Sequence, residues 1–273
     1  MISISAAEIR GGGPDRWFFD RMTDLSILTK ELDTTLNIRA IPDYSGALNG
    51  LQLQNGGKVK RIVASVDACL PVVKAAAALE GPALLLVHHG MFWSGAQCIT
   101  GSVYAKLHTA MRADMAIYSA HLPLDVHPKL GNNAVLAKAL GIVRTEPFFD
   151  FNGLKVGLRA KVKISRDSLV KKLGAATGAP VHLCAGGPAQ VREVGIITGG
   201  AGSEIAAIAA TGVDTFITGE GPHWSYTAAE ELGVNLLYGG HYATETFGVK
   251  AAAAWLATKH RLPWEFIDHP TGL

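Results

Sequence analysis

The chain has 273 residues, of which 48% are hydrophobic and 18% charged, so it is long and apolar enough to fold around a hydrophobic core. The net charge is only +2 and the Lys and Arg residues are scattered, which argues against a nucleic-acid-binding protein. No apolar stretch approaches the roughly 18 residues that span a membrane, and the N-terminus lacks a signal-peptide apolar segment. The three cysteines form no CxxC pair, which favours free thiols in a reducing cytoplasm.

Strands and helices alternate along the first half of the chain. The sequence predicts a helix that begins with a cap at Thr23, a strand over 61–68, a helix ended by Gly81 and a strand over 82–90. That last strand, "PALLLVHHG", does not alternate with polar residues, which is typical of a strand buried on both faces. A further helix and strand lead to the motif HxxxD.

The same succession returns in the second half. A strand is predicted over 194–200, a helix ended by Gly212, and a strand over 213–220, after which another helix and strand lead to the motif HxxxE. We interpret the two runs as an internal duplication. Alternating strands and helices imply βαβ units, so we expect an α/β protein in which two related βαβ halves form a sandwich.

The duplication suggests a division of the chain into four parts. Residues 1–22 form an N-terminal extension, 23–145 the first half of an α/β domain, and 190–273 its second half. Between the halves, residues 146–189 contain a strand, a helix and a strand, which we interpret as a small insertion rather than as an independent domain.

Side chains suited to metal binding lie at or just after predicted strands. They are His88, His89, His121, Asp125, His241 and Glu245. Ligands of open α/β sheets gather beyond the carboxyl ends of the strands. A helix after the last strand would place His241 and Glu245 on one face, and Pro123 fits the first turn of a helix. A single polar residue at the start of a loop is common. The residues named here, however, occupy matching positions in two half-repeats, which favours one shared site.

Imidazoles and carboxylates are ligands for divalent zinc, iron, manganese, cobalt or nickel. Up to four imidazoles and two carboxylates exceed what one ion needs. We therefore predict two divalent ions per chain, about 3.5–4 Å apart, which would make a water between them acidic enough to attack a substrate near neutral pH.

Six segments in this order resemble those of the Nif-three-like, YbgI-type dinuclear metal centre family, often catalogued as GTP cyclohydrolase 1 type 2. The segments are "NGLQLQ", "VDA", "VHHGMFW", "AHLPLDVHPKLGNN", "FITGE" and "GGHYATE". The resemblance covers nearly all of the chain from about residue 25. "HHG" in place of the "HHP" of many members resembles the short bacterial branch that lacks a large inserted domain.

This resemblance implies roles for individual residues. The metal ligands would be His88, His89, Asp125, His241 and Glu245. His121 matches a histidine that lines the same site, and we assign it the role of general acid or base. The resemblance also implies a ring-shaped homohexamer.

Three classes of function remain open. The first is a metal-dependent hydrolase of a nucleotide-like or phosphorylated small molecule, which we favour because structural metal sites are normally closed to substrate. The others are a non-catalytic metal-binding or metal-delivery protein and a scaffold for protein partners. Four further residues have open roles. Glu220 and His223 could contact substrate or support a ligand, or be ordinary loop residues, and Phe92 and Trp93 could stack on a base or pack a loop.

Overall fold

The computed structural model describes residues 21–273, so residues 1–20 of the predicted extension lie outside the described part. Residues 21–273 contain thirteen strands and nine α-helices. The strands are β1 (Thr23–Asp24), β2 (Gly50–Leu53), β3 (Lys58–Val59), β4 (Arg61–Asp67), β5 (Ala83–His89), β6 (Ala116–Ser119), β7 (Glu146–Phe151), β8 (Leu154–Ser165), β9 (His182–Ala185), β10 (Gln190–Ile196), β11 (Thr215–Thr218), β12 (Asn235–Tyr238) and β13 (Trp264–Phe266). The helices are α1 (Leu25–Thr35), α2 (Leu70–Ala77), α3 (Gly101–Arg112), α4 (Leu122–Asp125), α5 (Asn132–Ala139), α6 (Arg166–Thr177), α7 (Ile205–Ala209), α8 (Trp224–Glu231) and α9 (His241–His260).

The first half and β13 build a five-stranded sheet of order β13-β4-β5-β6-β2. Strands β4, β5 and β6 run parallel in sequence order, and β2 is antiparallel at one edge. Strand β5 is central, and its residues from Ala83 to His88 are all buried. The prediction of a doubly buried strand ending in two histidines is therefore confirmed.

The second half builds a six-stranded sheet of order β7-β8-β10-β11-β12-β9. Strands β10, β11 and β12 run parallel in sequence order, as β4, β5 and β6 do. The predicted α/β fold with two related βαβ halves is confirmed by this correspondence. The segment 146–189 supplies β7, β8 and β9, which extend the same sheet at both edges.

The last elements of the chain connect the two sheets. Helix α9 starts directly after β12 of the second sheet, yet its side chains Val249, Ala253 and Leu256 pack in one core with Ile62 and Leu84 of the first sheet. Strand β13 then pairs in parallel with β4. The first turn of α9, which carries His241, consequently lies where strands of both sheets end. The predicted site residues of the two halves can therefore meet there.

The predicted start of the first helix is wrong by one residue. Thr23 is paired with Val59 in a short antiparallel ladder, and the residue in the N-cap position is Asp24. The Asp24 carboxylate bonds the ammonium group of Lys58 rather than the end of the helix. Pairing with a distant strand therefore overrides the local capping preference.

Two expectations from composition concern the whole chain. In residues 21–273, no helix is long and apolar enough to cross a membrane. All three cysteines are free thiols, with Cys184 buried, Cys69 half-buried and Cys98 exposed.

Candidate metal centre

The six predicted site residues meet in one group, which we call the His/carboxylate cluster: His88, His89, His121, Asp125, His241 and Glu245. One ligand atom each from His88, His89 and His121 lie within 4.8 Å of one another, and the same holds for His89, His241 and Glu245. Asp125 joins the group because its Oδ2 is 3.5 Å from Nε2 of His88. The structure thus contains a group of imidazoles and carboxylates that could hold a metal ion.

Glu245 contacts three of the four histidines. Its Oε1 is 3.5 Å from Nε2 of His88, and its Oε2 is 3.4 Å from Nε2 of His89 and 3.2 Å from Nε2 of His241. The last contact follows from the helix, since residues four apart lie on one face of α9. Gly199, at φ +75°, passes so close to the Glu245 carboxylate that any Cβ there would collide with it, so this position requires glycine.

Asp125 reaches the cluster through a tight turn. His121 directly precedes α4, and Pro123 lies in the first turn of that helix, as predicted. The Asp125 amide donates to the His121 carbonyl at 3.0 Å, which folds the chain back. The Asn132 side-chain amide then donates to Oδ1 of Asp125 at 2.8 Å, so Oδ2 is left to face His88.

A second layer of acceptors fixes the orientation of every imidazole in the cluster. Each Nδ1 lies within hydrogen-bond distance of an oxygen: the Ala120 carbonyl for His88 (2.9 Å), Asp67 Oδ1 for His89 (2.8 Å), Asp43 Oδ1 for His121 (2.8 Å) and Glu220 Oε1 for His241 (2.7 Å). A carbonyl can only accept, so Nδ1 of His88 carries a proton. Partners of this kind set the tautomer and basicity of metal-binding histidines, and here they direct the Nε2 atoms into the cluster.

Within residues 21–273, two atoms in the middle of the cluster make no hydrogen bond of good geometry, although charged groups lie near them. They are Nε2 of His88 and Oε2 of Glu245, both buried. A buried polar atom without a partner costs on the order of 1–3 kcal/mol. A divalent ion would accept a lone pair from each of them, and their nitrogen and oxygen chemistry suits the metals named above. The residues therefore fit a metal ion.

The charges in the cluster are strongly coupled. Burial lowers the pKa of His88, but the carboxylates of Asp125 and Glu245 outweigh it and raise that pKa to about 10. Burial likewise lowers the pKa of His241, but Glu245 and Glu220 raise it to about 9. Burial raises the pKa of Glu245, yet His88 and His241 hold it well below its usual range. Without metal, protons on these imidazoles balance the carboxylates.

These protons make metal affinity dependent on pH. Below pH 9, an ion must displace the protons of His88 and His241, so we expect affinity for Mn²⁺ to rise about tenfold per pH unit for each proton released, and about a hundredfold for two. Calorimetric titration between pH 6.5 and 8.5, in buffers of different ionisation enthalpy, measures both quantities. The Glu220→Gln variant should release fewer protons, because one carboxylate that raises the His241 pKa is gone. An affinity that does not change with pH would contradict this account.

Two carboxylates of the second layer, Asp43 and Asp67, were not predicted from the sequence. Asp67 ends β4 opposite His89 of β5, so strand pairing carried the signal, and Asp67 stands within the quoted "VDA" segment. Asp43 lies in the loop before β2, in a stretch without periodicity, and no local pattern identifies it. Among the residues with open roles, Glu220 bonds His241, whereas His223 is exposed at the start of α8.

A cavity of about 590 Å³ opens in front of the cluster. Four aromatic side chains line it, and we call them the aromatic wall: Tyr44, Trp93, Phe149 and Phe151. Gly200, Ala201, Ser203 and Glu204 of the turn before α7 also line it. The Trp93 ring stands edge-on to the imidazoles of His89 and His121, with centroids 5.5 and 4.7 Å apart. The cluster is therefore accessible from one side.

Comparison with known proteins gives a consistent result. The sequence model of Duf34/NIF3 (NGG1p interacting factor 3) matches residues 23–271. A Deinococcus radiodurans protein named GTP cyclohydrolase 1 type 2 homolog is 42% identical over 248 residues, covering 90% of this chain and 93% of that protein.

Two solved structures share the fold along nearly the whole chain. One is TTHA1606 from Thermus thermophilus (37% identity, TM-score 0.84), and the other is protein ybgI, described as of unknown function (34% identity, TM-score 0.83). In each case the match covers 92% of this chain and all of the other. The resemblance inferred from six short segments is thereby confirmed, and the chain belongs to the Duf34/NIF3 family.

Proposed function

We propose that this protein is a metal-dependent hydrolase whose substrate is a nucleotide-like small molecule. The observation that carries the proposal is the cavity of about 590 Å³, which gives a small molecule direct access to the His/carboxylate cluster. Metal sites that only stabilise a fold are normally closed by four protein ligands. The name of the Deinococcus radiodurans relative is consistent with a nucleotide-like substrate.

The cluster residues divide into two roles in this proposal. His88, His89, Asp125, His241 and Glu245 hold two divalent ions. When bound, such ions supply Lewis acidity, which polarises the bond to be cleaved and makes water a better nucleophile.

His121 moves the proton. Its Nδ1 bonds Asp43, which leaves Nε2 free on the cavity side to accept a proton from water or to donate one to a leaving group. Trp93 packs edge-on against His89 and His121 and holds both imidazoles in place at the side of the cavity.

The direct experiment is a turnover screen with the metal-loaded protein. Nucleosides, nucleotides including GTP, and phosphoesters are each incubated with protein of measured metal content, and products are identified by mass spectrometry. We expect turnover that disappears on chelation and returns with added metal. If a fully loaded protein turns over none of them but passes its ions rapidly to an apo-protein acceptor, the protein is a metal-delivery protein. If it does neither, a scaffold role is favoured.

We further propose that the protein works as a ring-shaped homohexamer in the reducing cytoplasm. Large apolar side chains stay exposed in the described part of the chain, among them Leu48 (54%) and Ile99 (62%), which line an apolar groove of about 620 Å³. Light scattering should give a mass close to six times 28.8 kDa. Ile99→Asp should lower that mass, whereas Val143→Asp, at an exposed site outside the groove, should not. A monomer at all concentrations would contradict the ring.

A further inference from the structure

The aromatic wall is continuous from the cluster to the mouth of the cavity. The Tyr44 ring lies 5.9 Å from the His121 ring, 6.2 Å from Trp93 and 5.7 Å from Phe151, measured between centroids. Tyr44 is 52% exposed and Trp93 37%, so both rings are accessible to a ligand in the cavity. Aromatic faces of this kind bind flat rings by stacking. Stacking does not depend on the pattern of polar groups on the bound ring.

Strand β7 supplies the outer part of the wall in an unusual conformation. Phe149 has φ +60°, which is rare for a bulky side chain and carries conformational strain. Phe149 and Phe151 both line the cavity, whereas the neighbouring Phe148 is buried against Gly157 and Gly195. Backbone strain of this kind clusters at ligand sites, so we interpret the wall as built for a ligand rather than as incidental packing.

The charges around the cavity oppose a polyanion. Among the described residues, none that lines the cavity is Lys or Arg. Six carboxylates line it or stand directly behind the imidazoles: Asp43, Asp67, Asp125, Glu204, Glu220 and Glu245. Two divalent ions would bring four positive charges against these six negative ones.

The helix ends at the cavity do not offset this charge. Phosphate sites in proteins normally use Arg, Lys or the N-terminus of a helix. Four helices of the described part begin beside the cavity, and each has a carboxylate near its start. Helix α4 ends its single turn in Asp125, which also bonds Asn132 at the start of α5, α7 has Glu204 at its N-cap position, and α9 carries Glu245 in its second turn. A triphosphate would therefore meet carboxylates where a phosphate site needs donors.

The cavity lining also offers hydrogen-bond acceptors. Glu204 and Ser203 line the cavity, and the Ser203 hydroxyl donates to Oε1 of Glu204 at 3.3 Å. The second carboxylate oxygen, Oε2, can accept N–H groups from a ligand. An exocyclic amino group or a ring N–H is the partner that such a carboxylate recognises.

We propose that the cavity binds a flat, uncharged heteroaromatic ring with N–H donors, namely a nucleobase or nucleoside, and that phosphate groups add nothing to its affinity. The ring stacks on the aromatic wall and presents its N–H edge to Glu204, while its other edge faces the His/carboxylate cluster. This inference rests on the proposed function, because it takes the cavity as the substrate site, and it narrows the substrate from nucleotides in general to the base-bearing part.

Isothermal titration of the metal-loaded, full-length protein with guanosine and with GTP tests the proposal. We expect guanosine to bind at least as tightly as GTP. Trp93→Leu and Phe151→Leu keep apolar bulk but remove the ring, so each should weaken guanosine binding by roughly five- to a hundredfold. Tyr104→Leu removes an exposed ring outside the cavity, stacked on His108, and serves as the matched control. Glu204→Lys should reverse the preference by favouring GTP at least tenfold over guanosine.

Specific outcomes would overturn the proposal. If GTP binds more than tenfold tighter than guanosine, or if guanosine does not bind at millimolar concentration, phosphate rather than the ring is recognised. If the Trp93 and Phe151 variants bind guanosine as the wild type does, the wall is not the subsite. Because these are binding measurements, they separate this inference from the hydrolase proposal. Guanosine binding without any turnover would reject only the hydrolase proposal. Phosphoester turnover without binding of the ring would reject only the ring-binding subsite.

Discussion

Replacing Glu245 by Ala should strip the protein of its metal ions. This carboxylate lies 3.2–3.5 Å from the Nε2 atoms of three histidines, His88, His89 and His241, so it belongs to one group of candidate ligands and contacts two members of the other. Loss of a residue that only supports a ligand costs about 10–100-fold in metal affinity, and loss of a shared ligand should cost more, on the order of 10³-fold. Elemental analysis after gel filtration should find close to two ions per chain in the wild type and almost none in the variant.

Matched variants separate loss of a ligand from loss of the fold. Asp125→Ala should also lower metal content sharply, since Asp125 Oδ2 faces His88. Glu80→Ala removes an exposed carboxylate far from the cluster and should change nothing. If Glu245→Ala folds poorly, Glu245→Gln keeps the volume and removes the charge. A wild type that holds one ion, unaffected by changes at Asp125 and Glu245, would contradict the two-ion site.

The fold was predictable from sequence where local signals are strong. Strand β5 is a run of apolar residues with a glycine-containing turn on either side, and the observed strand, Ala83–His89, lies within the predicted 82–90. The repeat of this pattern in the second half predicted the second set of parallel strands. Because both sets end in polar residues, the sequence also indicated that these residues share one edge.

Other features depend on contacts that no local pattern records. Helix α9 belongs to the second half by sequence, but it packs on the first sheet, and β13 pairs with β4. Asp43 bonds His121 across 78 residues of chain from a loop without periodicity. The start of α1 shifted because Thr23 pairs with Val59. In each case the partner is distant in sequence, so pairing rather than propensity decides the outcome.

Removing the imidazole of His121 should lower turnover by about 10²–10⁴-fold and leave the metal content unchanged. The contacts around Asp43 support this role. Asp43 Oδ1 accepts from Nδ1 of His121 at 2.8 Å, and Oδ2 accepts from the Asn49 amide at 2.7 Å and from the Leu122 N–H at 2.9 Å. Burial raises the pKa of Asp43, but its bond to His121 outweighs this and lowers the pKa, so the carboxylate stays ionised and orients the imidazole.

Three variants distinguish a proton-transfer group from a ligand. His121→Gln keeps a polar side chain but cannot shuttle a proton, so it should lose activity as His121→Ala does. Asp43→Asn should keep the imidazole of His121 but disturb its tautomer. Where an Asp–His pair takes part in catalysis, such a change lowers kcat on the order of 10²-fold or more. The variant should also alter the pH profile of kcat. His108→Ala, stacked on Tyr104 away from the cluster, should leave activity unchanged. Since a ring nitrogen of His121 shares a group with His88 and His89, a ligand role makes the opposite prediction: His121→Ala would lose metal and activity together, and added metal would not restore turnover.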